Sequence, residues 1–216
     1  MKTIRCVCLS ALVCVSVVCA AAVAADQGWR SLFNGKDLDG WEQKNGSAKY
    51  EAKDGEIVGT SVPNSPNSFL CTKQQFGDFE LEFEVKVDKE LNSGVQIRSE
   101  SKPDYMDGRV HGYQVEIAVG GFSGGIYDEA RRKKFLNADN PTDEIRALLK
   151  ENQWNQFRVV CQGDHIQTWV NGKQVTDLRD SMTRSGFLGL QVHGVGKKTE
   201  PLQVRWRNIR IKEVKP

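Results

Sequence analysis

Three short runs of this chain alternate apolar residues with groups able to handle a substrate. In Gly94-Val95-Gln96-Ile97-Arg98 the valine and isoleucine share one parity, Gln96 and Arg98 the other. Tyr113-Gln114-Val115-Glu116-Ile117 repeats the pattern with Gln114 and Glu116, and Leu190-Gln191-Val192-His193-Gly194 with Gln191 and His193. Successive side chains on a β-strand point to opposite faces, so each run would bury one face and offer the other. A merely solvated face tends toward Lys, Glu and Thr. Three glutamines beside a guanidinium, a carboxylate and an imidazole suit a polar site that binds hydroxyls and moves a proton.

Each of these residues also has a plainer reading. His193 precedes Gly194, which would let a ligand or a neighbouring backbone approach closely, and this favours an acid/base group or a metal ligand. Glu116 could be a base, a metal ligand or the ion-pair partner of Arg98. Trp169 has the parity of Gln167 and Asn171 and could add an apolar platform for a sugar ring. His165 reads as a turn residue, whereas His111 lies near enough to the second run to reach its rim. Arg131-Arg132-Lys133-Lys134 reads as a solvated loop face. Glu80, Glu82 and Glu84 lack the Glu-x-Asp-x-x-Glu spacing of sandwich-fold β-glucanases, which argues against a two-carboxylate glycosidase. No Gly-x-Ser-x-Gly, His-Glu-x-x-His or phosphate-binding glycine loop is present.

The elements that must carry these groups are short β-type runs punctuated by Gly, Asn, Asp and Pro. They are Glu56 to Gly59, Ser68 to Cys71, Phe79 to Val87, Phe157 to Cys161, His165 to Val170 and Val204 to Val214. Asn171-Gly172 is a strong hairpin signal. Thr142 to Asn152 predicts the one helix, with Thr142 as N-cap and Ile145, Leu148 and Leu149 on one face. Gly120 to Asn140 reads as a long irregular stretch. Many strands and one helix imply an all-β two-sheet sandwich or jelly roll.

Residues 1–25 have a basic start, an apolar run and small residues up to Ala25, which is a secretory signal and places the mature protein outside the cytoplasm or in a periplasm. The single domain is then 26–216. With Lys2 and Arg5 set aside, 28 basic residues face 28 acidic ones, so nothing electrostatic favours nucleic acid or an anionic membrane. No other run is long enough to insert in a membrane. Cys71 and Cys161 remain, either as a disulfide or as two buried thiols.

The same residues carry a resemblance. The chain resembles the secreted bacterial 3-keto-disaccharide hydrolase family from Trp29-Arg30-Ser31-Leu32-Phe33-Asn34-Gly35 and Leu38-Asp39-Gly40-Trp41 to the last strand. The most specific pieces are Asn92-Ser93-Gly94-Val95-Gln96-Ile97-Arg98, Trp154-Asn155, Trp169-Val170-Asn171-Gly172, Gly186 to Gly194 and Arg205-Trp206-Arg207-Asn208-Ile209. The resemblance implies a concanavalin A-like jelly roll that cleaves glycosides oxidised to a ketone at sugar carbon 3. It implies His193 as base or metal ligand, Glu116 as its carboxylate partner and Arg98 as the cation for an enolate. Asn92, Gln96, Gln114, Gln191, Tyr127 and Trp169 would bind substrate. A divalent metal, held by His193 and Glu116, would be a compatible cofactor. The segment Tyr127 to Phe135 departs from the family's typical short loop, so substrate size or preference should differ. A non-catalytic carbohydrate-binding module is the alternative on the same fold, and an interaction domain the third reading.

Overall fold

The structure is a computed structural model that describes residues 28–214; the secretory signal inferred over 1–25 lies outside them. Two antiparallel sheets face each other. The first runs in the order β2 (Trp41–Lys44), β5 (Ser68–Thr72), β13 (Phe187–Val192), β7 (Ser93–Glu100), β8 (His111–Ile117) and β9 (Ile126–Glu129). The second runs β12 (Lys173–Arg179), β11 (His165–Val170), β10 (Asn155–Gln162), β6 (Phe79–Val87), β14 (Gln203–Glu213), β4 (Glu56–Thr60) and β3 (Lys49–Lys53), with β1 (Trp29–Ser31) also paired to β14. The architecture is the all-β sandwich that the strand pattern predicts.

Alternation explains the packing. On β6 the residues Phe79, Leu81, Phe83, Val85 and Val87 are buried, while Glu80, Glu82, Glu84 and Lys86 face outward. Phe83 stacks on Phe157 of β10 with ring centroids 5.1 Å apart. From the opposite sheet Val95, Ile97, Tyr113, Val115, Ile117, Leu188 and Leu190 close the same core. Each such side chain contributes roughly 1.5–3 kcal/mol through removal from water. The Asn171-Gly172 turn between β11 and β12 takes φ values of 47° and 83°, the left-handed pair that matches the twist of a tight hairpin.

Two predicted elements differ from their pattern. The helix, α1 (Asp143–Arg146), spans only four residues, although Thr142 does cap it by accepting from the Ile145 N–H. It stops because the Asn155 carboxamide captures both backbone groups of Lys150, accepting from its N–H at 2.7 Å and donating to its carbonyl at 2.9 Å. Within the stretch read as irregular, β9 pairs with β8 through Gly112–Glu129, Tyr113–Asp128, Gln114–Tyr127 and Val115–Ile126. Its alternation is short and interrupted by a buried aspartate, Asp128, which hides the strand from a periodicity argument.

The cysteines are free and buried, Cys161 in the inter-sheet core and Cys71 on the outer face of the first sheet. Burial pushes the Cys161 thiol up to about 12 and the Cys71 thiol higher still, so both stay protonated and inert. The described helix is far too short to cross a membrane.

Arg98 leaves the face on which its parity would place it. The β7–β8 register shifts between Ile97 and Glu100, and Arg98 itself adopts φ 45°. This bulge turns the side chain toward the edge of the sandwich, where Nε donates to Gly77 O (2.8 Å), Nη1 to Gly163 O (2.6 Å) and Nη2 to Asp78 Oδ1 (2.8 Å). The guanidinium is fully buried and ties the turns before β6 and after β10 together. Arg98→Ala should therefore lower unfolding free energy by about 3 kcal/mol, since it strands Asp78 and two carbonyls. Urea denaturation measures this, and a loss below about 1 kcal/mol would contradict the structural role.

Candidate functional site

The outer face of the first sheet reads as a lattice of long polar side chains and glycines. One row across the strands is Gln191, Gly94 and Glu116; the next is Gly189, Gln96, Gln114 and Tyr127; a third joins Gly112 to Glu129. The glycines make room. A Cβ on Gly94 would lie 2.5 Å from Cγ and Cδ of Gln114, so the Gln114 side chain occupies the space above Gly94.

That placement builds a continuous hydrogen-bond line. Ser99 Oγ donates to Gln96 Oε1 (2.8 Å), Gln96 Nε2 to Gln114 Oε1 (2.8 Å), and Gln114 Nε2 to Glu116 Oε2 (2.9 Å). Asn92 Nδ2 donates to the other Glu116 oxygen. Both carboxylate oxygens thus accept from neutral amides, and no cation among the described residues pairs with them. Glu116 is only 8% exposed, and burial raises its pKa above the ordinary carboxylate value. The Asn92 and Gln114 hydrogen bonds and nearby His193 oppose that rise, while Glu129 adds to it.

Glu116 opens into a cavity of about 420 Å³ whose lining includes Asn67, Asn92, Gln114, Tyr127, Arg109 and His193. His193 lies just beyond β13 and is exposed. Its Nδ1 meets the Gly194 carbonyl at 2.9 Å, and since a carbonyl only accepts, Nδ1 carries the hydrogen. In the neutral ring Nε2 then keeps its lone pair. Gly194 serves the neighbouring backbone rather than a ligand: a Cβ there would meet Ser65 O at 2.7 Å, and its N–H donates to Asn67 Oδ1 at 3.0 Å. This bond orients Asn67, whose amide lines the same cavity as the imidazole. Burial, followed by the charges of Glu129, Glu116 and Asp128, raises the Tyr127 pKa, so the phenol stays a proton donor at neutral pH.

The structure gathers His193, Glu116, Gln114, Tyr127 and Asn92 at one cavity and separates the remaining predicted residues from it. Gln96 and Gln191 are fully buried, and Val110, before β8, packs on Phe69, Cys71 and Phe187 of the same face and is held by Asn45. Gln96 is a link in the line to Glu116, and the Gln191 carboxamide has no protein partner among the described residues. Arg98 is bound at the sandwich edge, as described above. Trp169 sits on the outward face of the second sheet, where Arg158 stacks on it at 4.5 Å, because β11 belongs to the opposite layer. Parity alone cannot distinguish two sheets.

Sequence reasoning missed Arg109, Asn67 and Glu129. Arg109 Nη2 donates to Glu129 Oε1 at 3.2 Å, so Arg109, with Lys133, and not Arg98, brings positive charge to this cavity. Tyr127 and Glu129 repeat, on β9, the outward alternation of the three opening runs, and that signal was present. Arg109 and Asn67 come from loops and carry none. His111 is buried against Tyr105 and Arg109 O, and His165 pairs with Asp177 at 2.6 Å. Arg131 and Arg132 are not merely solvated, since both bind the buried Asp128.

The fit to a metal ion is poor. Among the described residues no group of three or more His, Cys, Asp or Glu side chains is arranged to hold one. His193 and Glu116 are two donors at most, and both Glu116 oxygens already accept amide N–H groups.

Similarity to known proteins agrees with the two-sheet fold. A protein described as a candidate glycosyl hydrolase from Parabacteroides distasonis superposes with a TM-score of 0.63 at 18% identity, covering 88% of this chain and 95% of that one. The carbohydrate-binding module CBM66 from Bacillus subtilis gives 0.60 at 16% identity, covering 80% and 95%. A Bacillus subtilis protein with a galectin-like fold gives 0.58 at 10% identity, covering 82% and 90%. These likenesses establish the jelly-roll fold. No curated protein matches in sequence. Residues 28–212 match the family described as the 3-keto-alpha-glucoside-1,2-lyase-like domain, and the chain belongs to that family.

Proposed function

We propose that this protein, acting outside the cytoplasm, cleaves 3-keto-glycosides by elimination and hydration. The observation that carries the reading is the meeting, at one cavity, of an imidazole with a free Nε2 and an amide-bound carboxylate of raised pKa. A ketone at carbon 3 acidifies the hydrogen on carbon 2 and makes the glycosidic oxygen on carbon 1 a β leaving group. His193 Nε2 takes that proton, and Glu116 stabilises the imidazolium that forms. The Asn67 amide donates to the enolate oxygen as charge builds there. The C1–O bond breaks with its electron pair on oxygen, and the Tyr127 hydroxyl protonates the departing aglycone. Water then adds its hydroxyl to carbon 1, carbon 2 regains a proton from the imidazolium, and the water's remaining proton restores Tyr127. The net reaction is a 3-keto-glycoside plus water giving a 3-keto sugar and the free aglycone alcohol.

A second reading, a carbohydrate-binding module without turnover, is favoured by the likeness to CBM66. It leaves the orientation of the His193 ring and the raised pKa of Glu116 without a purpose.

Turnover of methyl 3-keto-glucoside should fall about a hundredfold or more in His193→Ala and Glu116→Gln, and about a hundredfold in Asn67→Ala. Product assays on the purified full chain measure this. Full activity in His193→Ala and Glu116→Gln would sink the mechanism, and sugar binding without turnover by the wild type would favour the binding module. The pH profile gives an independent check. Because the folded pKa of Glu116 is raised, its charged form is lost as pH falls through a value above 4.5. The acid limb of kcat/KM should include this ionisation, and the residual activity of Glu116→Gln should not show it.

A further inference from the structure

The cavity beside His193 is half of a larger cleft. A second cavity of about 660 Å³ adjoins it, and Glu116, Tyr127, Lys133 and Phe135 line both. The carboxylate and the phenol therefore stand at a junction. On one side lie Asn67, Asn92 and His193, whose donors and acceptors suit sugar hydroxyls. On the other side the chemistry changes. Phe122 and Phe135 lie with ring centroids 5.1 Å apart, and Tyr127 meets Phe135 edge-on at 5.3 Å. Phe135 is 37% exposed, one of only three large hydrophobic side chains exposed among the described residues.

Three cations, Lys133, Lys134 and Arg146, line this second lobe, against Asp139 as its own acidic residue. None of the three cations has an ion-pair partner among the described residues, while Arg131 and Arg132 next door are consumed by Asp128. The two lysines do not sit on a loose loop. Lys133 N–H donates to Asp128 O and Asp128 N–H to Lys134 O, each at 2.9 Å, and the turn bridges Tyr127 to Phe135. Buried Asp128 locks that turn through both arginines, and Arg132 continues to Asp180 at 2.7 Å. The device fixes an aromatic surface and unpaired positive charge on the leaving-group side of the reacting bond.

We propose that this second lobe is the aglycone subsite and selects leaving groups with an aromatic ring and an anionic substituent. The inference rests on the elimination reading for which side of Glu116 holds the sugar. Ring-on-ring contact with Phe135 orients the aryl group, and Lys133, Lys134 and Arg146 attract its negative end. Each cation is exposed, so the gain per charge is small and salt-sensitive.

The test uses 4-carboxyphenyl and 4-carbamoylphenyl 3-keto-glucosides, which share shape and differ in charge. Wild type should prefer the carboxylate in kcat/KM, and the double variant Lys134→Gln, Arg146→Gln, at two cations that line the second lobe and not the cavity of His193, should reduce that preference about fivefold, the order expected for two exposed charges. Comparing the preference between proteins cancels the intrinsic difference in leaving ability. Methyl 3-keto-glucoside turnover should not change. Phe135→Ala should weaken both aryl substrates relative to the methyl one. Binding of 4-hydroxybenzoate against 4-hydroxybenzamide, followed by calorimetry, reads the same subsite without any reaction. Loss of the preference and of the selective 4-hydroxybenzoate binding in the double variant supports the inference. An unchanged preference, or equal binding of the two phenols to the wild type, overturns it. Selective 4-hydroxybenzoate binding by a protein that turns over no 3-keto-glucoside would keep the anionic aryl subsite and reject the elimination reading.

Discussion

The site depends on how a carboxylate is kept inside the sandwich face without a counter-ion in contact with it. Removing Glu116 from water costs several kcal/mol, and the structure offsets that cost with neutral amides rather than a cation. Gln114 and Asn92 each donate to one oxygen, and Gln114 is itself held by Gln96 and, through it, Ser99. An arginine in that position would drive the pKa down and leave a weak partner for His193. Amides satisfy the oxygens while letting burial hold the pKa up, so the carboxylate responds strongly to a proton arriving on the neighbouring imidazole.

The rest of the sheet serves that arrangement. Four long side chains cannot converge on a flat sheet with a Cβ at every neighbouring position, and Gly94 and Gly189 remove the obstruction on the strands beside Gln114 and Gln96. Gln96 and Gln191 are fully buried, which makes them structural rather than accessible. Arg98, the residue whose charge looked best suited to an enolate, is spent on joining two turns. Loops supply what the strands do not: Asn67 and His193 from one side, Arg109 and the Tyr127–Phe135 turn from the other.

The fold was legible because β-strands write their burial into alternate residues, and β6 to β8, β10, β11 and β13 all do so. Gln114, Glu116, His193 and Asn92 were legible for the same reason, together with the resemblance carried by the run from Asn92 to Arg98. Arg98 was misplaced because one bulge reverses parity and leaves no mark on the alternation before it. Trp169 was misplaced because parity assigns a face within a sheet but says nothing about which sheet. The helix was overextended because Asn155, a residue beyond its end, competes for the backbone of Lys150. The β9 strand stayed hidden because Asp128, buried by two arginines, breaks the apolar pattern that announces a strand.

The central claim is that bond cleavage passes through loss of the hydrogen on carbon 2. The most direct measurement is the reaction of methyl 3-keto-glucoside in deuterium oxide, with early product and unreacted substrate compared by proton NMR. Because His193 is exposed, the proton it takes exchanges with solvent before the imidazolium reprotonates carbon 2, so elimination followed by hydration predicts deuterium at carbon 2 of the 3-keto product, at a level well above that in the remaining substrate. A product that retains its original hydrogen at carbon 2 would mean displacement at carbon 1 and would contradict the account.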